Sequence, residues 1–384
     1  MPNVTVYGAS GTIVTVPFTG SANYALAQQL AGIINTAFNN GNLSATNAPT
    51  VPVGGITEQL TSVGGAFSPP VGTNFFTDSA AAPVTLTGAA FMNVIAGTGG
   101  LTFNGAVGNA SIAAGGGNNY INMPTGSSYD IALGGGNDTV IANGSGSIDA
   151  GAGTNVISIS GSAGTSNILF SDGTGDTITA GAGAATVGET GTKSTIFMGT
   201  TSGLYADGGS GDTIVGSNAY VNQTVYGNGG DVVFGGNNTL TFVGGVGGST
   251  IVGGVKDTLF GVSGGDINYY SSTSSATLVA GAGSETLNAG GGTQGDMLIG
   301  GAGSTTMFAG TGADSLAFFN GTSGGTDLVN GFNSQDQIDL VNYGGAAPTV
   351  MAAGGSTTIN LSDGTKITLS GFTSSNTSYI KSFG

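Results

Sequence analysis

The side chains in this sequence that could do chemistry are almost all carboxylates. Twenty Asp and Glu stand against four cations in 384 residues, for a formal net charge of −16. The cations are Lys193, Lys256, Lys366 and Lys381, while Arg, His, Cys and Trp are absent. Without Cys there is no disulfide, no thiolate nucleophile and no Cys-based zinc or iron–sulfur centre. Without His the commonest general base and transition-metal ligand is missing. Nucleic-acid binding needs Lys and Arg in numbers, so that class of partner is excluded, as is attraction to an anionic membrane surface. Two kinds of chemistry remain open. Carboxylates can hold a hard cation together with backbone carbonyls, or work as a pair on a glycosidic bond.

The acids and their amide relatives recur at steps that suit the first use. Asn119, Asp138, Asn155 and Asp176 follow one another at intervals of 17–21 residues. From 257 onward the interval halves, through 257, 266, 276, 285, 296, 305 and 314. One coil of stacked backbone lies about 4.8 Å from the next. Two carboxylates that close repel by about 3 kcal/mol at an effective dielectric near 20, so acids in consecutive coils call for a cation. Three such pairs are expected: Asp212 with Asp231, Asp266 with Glu285, and Asp296 with Asp314. Asp138, Asp176 and Asp257 are secondary metal candidates; Asp138 and Asp176 have no acidic neighbour in register. The metal-free alternative is that these residues accept hydrogen bonds from turn amides. In the Asn- and Thr-rich stretches around 105–125 and 235–252, stacked polar ladders are expected in place of metal.

These residues sit in a repeat. Gly115-Gly116-Gly117-Asn118-Asn119-Tyr120-Ile121 returns as Gly134-Gly135-Gly136-Asn137-Asp138-Thr139-Val140, then as Gly151-Ala152-Gly153-Thr154-Asn155-Val156-Ile157. Related units begin at Gly281, Gly301 and Gly310, with gapped forms at Gly173 and Gly208. The common form is Gly-x-Gly-x-polar-x-apolar: a tight turn feeding a short strand of β-suited residues such as Ile141, Ile214, Phe234 and Ile251. Fixed-period self-similarity marks stacked repeats. Although 77 residues are Gly and only 6% are charged, 39% are hydrophobic, which is ample material for a core. The predicted fold is all-β: a parallel β-roll or β-helix solenoid over 81–320, with a small N-terminal α+β module over 1–80 and a C-terminal β cap over 321–384. In the first region, strands at Val4–Tyr7 and Thr12–Val16 precede a helix N-capped by Ser21. Leu26, Leu30, Ile33, Ala37 and Phe38 then follow at helical spacing. That module either caps one end of the array or serves in assembly. In the last region, strands Thr357–Leu361 and Lys366–Leu369 flank Asp363-Gly364. A three-residue connection there keeps Ile359 and Leu361 on one face with Leu369 and Ile367.

The Gly-x-Gly-x-Asp-x-apolar units, with the closing stretch Gly324-Gly325-Thr326-Asp327 to Asp339-Leu340, resemble the RTX, or haemolysin-type calcium-binding, repeat family. The repeats are degenerate: several have Asn, Thr or Ala at the ligand position. The resemblance implies calcium (Ca2+) between the coils of a parallel β-roll. It also implies type I export from a Gram-negative bacterium, guided by the C-terminus. Met1-Pro2-Asn3-Val4-Thr5 has no basic start or apolar core of a signal peptide, and no stretch is long enough to be a transmembrane segment.

Function is expected to be structural rather than enzymatic. A homo-oligomer joined head-to-tail or laterally would form a filament, biofilm matrix or surface layer outside the cell. The alternatives are a secreted adhesin binding ice or a cell-surface glycan, and a carboxylate-based polysaccharide-modifying enzyme. Against the enzyme, polysaccharide sites also need Arg or Lys and aromatic platforms, and only Tyr269-Tyr270 suggests one. Against the ice-binding face, Thr85-Leu86-Thr87, Thr177-Ile178-Thr179 and Thr239-Leu240-Thr241 do not recur at one coil spacing.

Overall fold

The computed structural model describes residues 1–384 apart from 47–52, 89–90, 162–163, 262–267, 271–274 and 291. Contacts divide the chain into two compact units, Met1–Thr201 and Ser202–Gly384. Both are built from parallel coils, each holding two short strands and two turns, so the chain is a β-solenoid. Strands of one coil pair in parallel with the same strands of the next and form two sheets. Side chains alternate along each strand, and the coils in the columns given below send one large apolar residue inward from each sheet.

In the first unit the inward column of one sheet runs Val94, Ile112, Ile131, Ile148, Leu169, Val187. The facing column runs Leu86, Phe103, Ile121, Val140, Ile157, Ile178, Ile196. All of these are buried. Coiling begins at Leu43–Ala45 and Ile56–Thr61, well before the glycine repeat sets in. Ile141 and Phe234, suited to strands, prove to point outward, and their neighbours Val140 and Val233 fill the core instead. Glycine is required where turns stack. Gly136 has φ +139°, and a Cβ there would lie 2.4 Å from the Gly117 carbonyl oxygen of the neighbouring coil.

The N-terminal segment lies on the flank of this unit. An antiparallel hairpin, Asn3–Tyr7 with Ile13–Pro17, leads into a helix, Ser21–Asn39. Its N-cap is Gly20, not Ser21, and Asn23 does the capping by accepting the Gly20 N–H at 3.0 Å. The same side chain donates to the Ala114 carbonyl at 2.8 Å, which anchors the helix to the sheet. The buried face is Leu26, Ala27, Leu30, Ala31 and Ile34, so Ile33 is left exposed. Opposite it, the outward residues Ile95, Ala113 and Ala132 are small or aliphatic and fully covered. The helix therefore covers a side of the coils.

In the second unit the inward columns are Tyr205, Val225, Phe242, Leu259, Leu278, Leu298, Leu316, Ile338 and Ile214, Val233, Ile251, Tyr269, Leu287, Met307, Val329. Tyr269 is fully buried and meets Phe242 edge-on at 6.2 Å, so it is a core residue and no sugar platform. At the C-terminus, Lys366–Ser370 continues the ladder in parallel and then carries an antiparallel meander with Ser356–Asn360 and Thr349–Ala353. The connection is the three residues Ser362-Asp363-Gly364, but Ile359 faces Ile367 and Thr357 faces Leu369, two residues from the expected register. Phe332, Phe372 and Tyr379 pack edge-to-face over this end. Among the described residues no helix is long and apolar enough to cross a membrane.

Candidate cation-binding carboxylate ladders

Among the described residues fifteen carboxylate side chains are buried, an arrangement that four lysines cannot neutralise. Carboxylates are almost never fully buried unless paired. Most of these acids fall at one position, the last residue of a turn, immediately before a strand begins. Before Asp176, Asp212, Asp231 and Asp257, and before Ser194, the preceding residue adopts positive φ: Gly175 (+74°), Gly211 (+74°), Gly230 (+75°), Lys256 (+58°) and Lys193 (+60°). This left-handed step aims the following side chain along the stack instead of out to water.

The result is a ladder in which each side chain accepts the backbone N–H of its counterpart in the preceding coil. In the first unit Asn119 accepts from Leu101 at 2.9 Å and Asp138 from Asn119 at 2.7 Å. Asn155 then accepts from Asp138 at 3.0 Å, Asp176 from Asn155 at 2.6 Å and Ser194 from Asp176 at 3.2 Å. Acids alternate here with amides, so consecutive coils never bring two charges together. Asp138 and Asp176 thus serve the hydrogen-bonding role. Asp138 is pushed up to about 6 by burial, which outweighs its hydrogen bonds from Asn119. Its Oδ2 is buried with no partner.

The second unit has two ladders, and both place acids in succession. On one, Asp231 Oδ1 accepts from Asp212 N–H at 3.2 Å, and Asp231 N–H donates to Ser249 at 3.3 Å. The other bears Asp257, Asp296, Asp314 and Asp336. Asp257 accepts from Leu240 at 2.8 Å and Asp296 from Ala276 at 2.6 Å; Asp314 accepts from Asp296 at 2.8 Å and Asp336 from Asp314 at 2.9 Å. The two expected pairs Asp212/Asp231 and Asp296/Asp314 are therefore adjacent rungs. Asp257 is separated from Asp296 by Ala276. Glu285 and Asp327 occupy the first ladder with Thr305 between them; Thr305 donates to Asp327 at 2.9 Å. Asp266, the expected partner of Glu285, lies outside the described residues.

Besides Asp327, two further buried acids escaped the sequence reading. Asp336 extends the Asp296/Asp314 pair to three consecutive charges. Asp207 ends the strand Gly203–Asp207 and faces Asp212 across a turn, their carboxylate oxygens within 4.8 Å. Its Oδ1 accepts the Gly209 N–H at 2.9 Å. Burial, then the charges of Asp231 and Asp212, push Asp207 up to about 8. The signal for it is a spacing of five. Ser171 donates to Asp176 Oδ2 across one turn of the first unit, and Ser194 donates to Glu189 across another at 3.2 Å. Positions i and i+5 thus close these turns with a polar pair. At 207 and 212 both members are acids, where a hydroxyl–carboxylate pair would be satisfied without help.

Calcium requires six to eight oxygens, drawn readily from carboxylates and turn carbonyls. Asp207 and Asp212, with carboxylate oxygens within 4.8 Å of each other, can contribute to such a donor set; Asp231 stands one rung beyond Asp212, and Asp296, Asp314 and Asp336 are joined through their ladder hydrogen bonds. The Asn119–Ser194 ladder does not supply such a set, because amide and hydroxyl rungs dilute the charge. No protein-family model matches the sequence, and no curated protein matches it.

Proposed function

We propose that this chain is a secreted structural protein of the haemolysin-type repeat kind, in which calcium completes the second unit and the solenoid serves as a building block for a filament or surface layer. The observation that carries this reading is the succession of buried acids at Asp207/Asp212/Asp231 and at Asp296/Asp314/Asp336. Left metal-free at neutral pH, each set either repels or holds protons. A divalent cation removes both penalties, and it is plentiful outside cells, where modules bind it at about 10⁻⁴–10⁻³ M. Export and a bacterial surface follow from the repeat resemblance. A structural role is favoured over catalysis because the ladder carboxylates are buried and spend an oxygen on the neighbouring coil's amide. Those groups are unfit to meet a substrate.

Electron microscopy of the purified full chain tests this reading. With millimolar calcium, ordered filaments or sheets are expected, and chelator should disperse them. Monodisperse particles in both conditions would count against the structural role.

A further inference from the structure

The first charged side chain in the sequence is Glu58; residues 1–57, which include the N-terminal hairpin and the helix Ser21–Asn39, carry none. The hairpin and helix are therefore seated on the first unit by contacts that do not respond to pH. Val6, Phe18, Leu30 and Ile34 pack with Phe75 and Ile95 of the coils. Two polar ties add to this: Asn23 donates to the Ala114 carbonyl at 2.8 Å, and Thr19 Oγ1 accepts the Gly135 N–H at 2.9 Å.

Glu58 is the exception in that interface. It stands on the strand Ile56–Thr61 in register with Phe75, and only 3% of it is exposed. The turn of the hairpin lies over its carboxyl group: a Cβ at Gly8 would stand 3.0 Å from Leu60 Cδ2 and 3.9 Å from Glu58 Oε2. Oε1 accepts from the Thr77 hydroxyl at 2.7 Å, while Oε2 is buried with no hydrogen-bond partner. The titratable groups on the surrounding elements do not relieve it. The hairpin brings Tyr7 and the amine of the exposed Met1, and the helix brings Tyr24, which accepts from Gln28 at 2.7 Å. The neighbouring strand Phe75–Asp78 brings Asp78, whose Oδ1 accepts the Ala80 N–H at 2.7 Å. The strand Leu43–Ala45 brings none. A carboxylate held in an apolar contact by one hydrogen bond, with no cation, is costly, so the group either keeps its proton or regains water. It regains water when the hairpin above it lifts.

We infer that the N-terminal hairpin and helix form a cover governed by one proton: it is seated while Glu58 is protonated and loosens from the coils once Glu58 ionises. Burial pushes Glu58 up to about 7, against the opposing hydrogen bond from Thr77. With the cover lifted, the carboxyl group returns to its ordinary value of 4.5. The seated value lies above the lifted one. The proton's contribution to closure is therefore complete below about pH 4.5 and is lost as pH rises through 7. Loosening bares Phe75, Ile95, Ala113 and Ala132, an apolar row on strands that stay joined by their own parallel pairing.

Hydrogen exchange of the full chain, followed at the amides of residues 26–34 from pH 5 to pH 8 and corrected for the intrinsic rate, is the test. In the wild type, protection of this helix should fall at least about ten-fold over that range. Glu58→Gln is neutral at every pH and can still accept from Thr77, so its protection should stay constant. Thr77→Val removes the hydrogen bond that favours the charged form, so the midpoint of the wild-type loss should move to higher pH. Protection that is flat in the wild type, or that falls equally in Glu58→Gln, would overturn the inference. A midpoint that Thr77→Val leaves in place would overturn it as well.

Discussion

A buried Asp at the end of a turn has two ways to be comfortable, and the residue one coil away decides between them. Where that residue is Asn119, Asn155 or Ser194, the amide ladder is enough. Where it is another acid, the folded state favours protons or a cation. In the metal-free protein burial raises Asp207 to about 8, Glu58 and Asp327 to about 7, and Asp257 and Asp296 to about 6. A folded-state value above the unfolded one means that the stabilisation is complete below about pH 4 and is lost as pH rises through 6 to 8. Metal-free protein should therefore melt at a higher temperature at pH 4 than at pH 8. Calcium should reverse that order, because acid displaces the cation. Thermal melts at the two pH values check it, and a metal-free protein that is more stable at pH 8 would contradict it. Asp138→Asn should be nearly neutral, since Asn already fills the equivalent rungs, and should leave calcium affinity unchanged.

At the scale of elements, close stacking and flank packing hold the first unit together. Gly136→Ala places a methyl group 2.4 Å from the Gly117 carbonyl on a backbone that L side chains rarely adopt. It should cost more than about 3 kcal/mol, measurable by denaturant unfolding. Leu30→Ala, on the covered face of the helix, should cost about 2–5 kcal/mol. Hydrogen exchange should place that loss in the first unit. These elements were unequally legible in the sequence. The Asn119–Asp138–Asn155–Asp176 spacing predicted the rungs because turn chemistry repeats in glycine and Asp. The halved spacing after 257 reflects two ladders on two sheets. The coils from Leu43 to Asp78 lack that glycine signature, so nothing local betrays them. The hairpin register slipped because apolar alternation fixes parity, and a shift of two keeps parity. Asp207 was missed because its importance lies in facing Asp212 across a turn, a contact between different positions of the repeat.

For the molecule as a whole, the uneven distribution of charge divides the two units in behaviour. The ladders that place acids in succession, Asp212/Asp231 and Asp296/Asp314/Asp336, lie in the second unit, so chelator should speed hydrogen exchange across Ser202–Gly384 before it affects Met1–Thr201. The most direct test of the account is calorimetric titration of the chelated full chain with calcium, beside the Asp212→Asn/Asp231→Asn and Asp296→Asn/Asp314→Asn double variants. The account predicts saturable binding by the wild type at about millimolar calcium or below, with each double variant losing part of the stoichiometry while the fold is kept. Absence of heat and of any calcium-dependent rise in melting temperature, with both variants indistinguishable from the wild type, would contradict it.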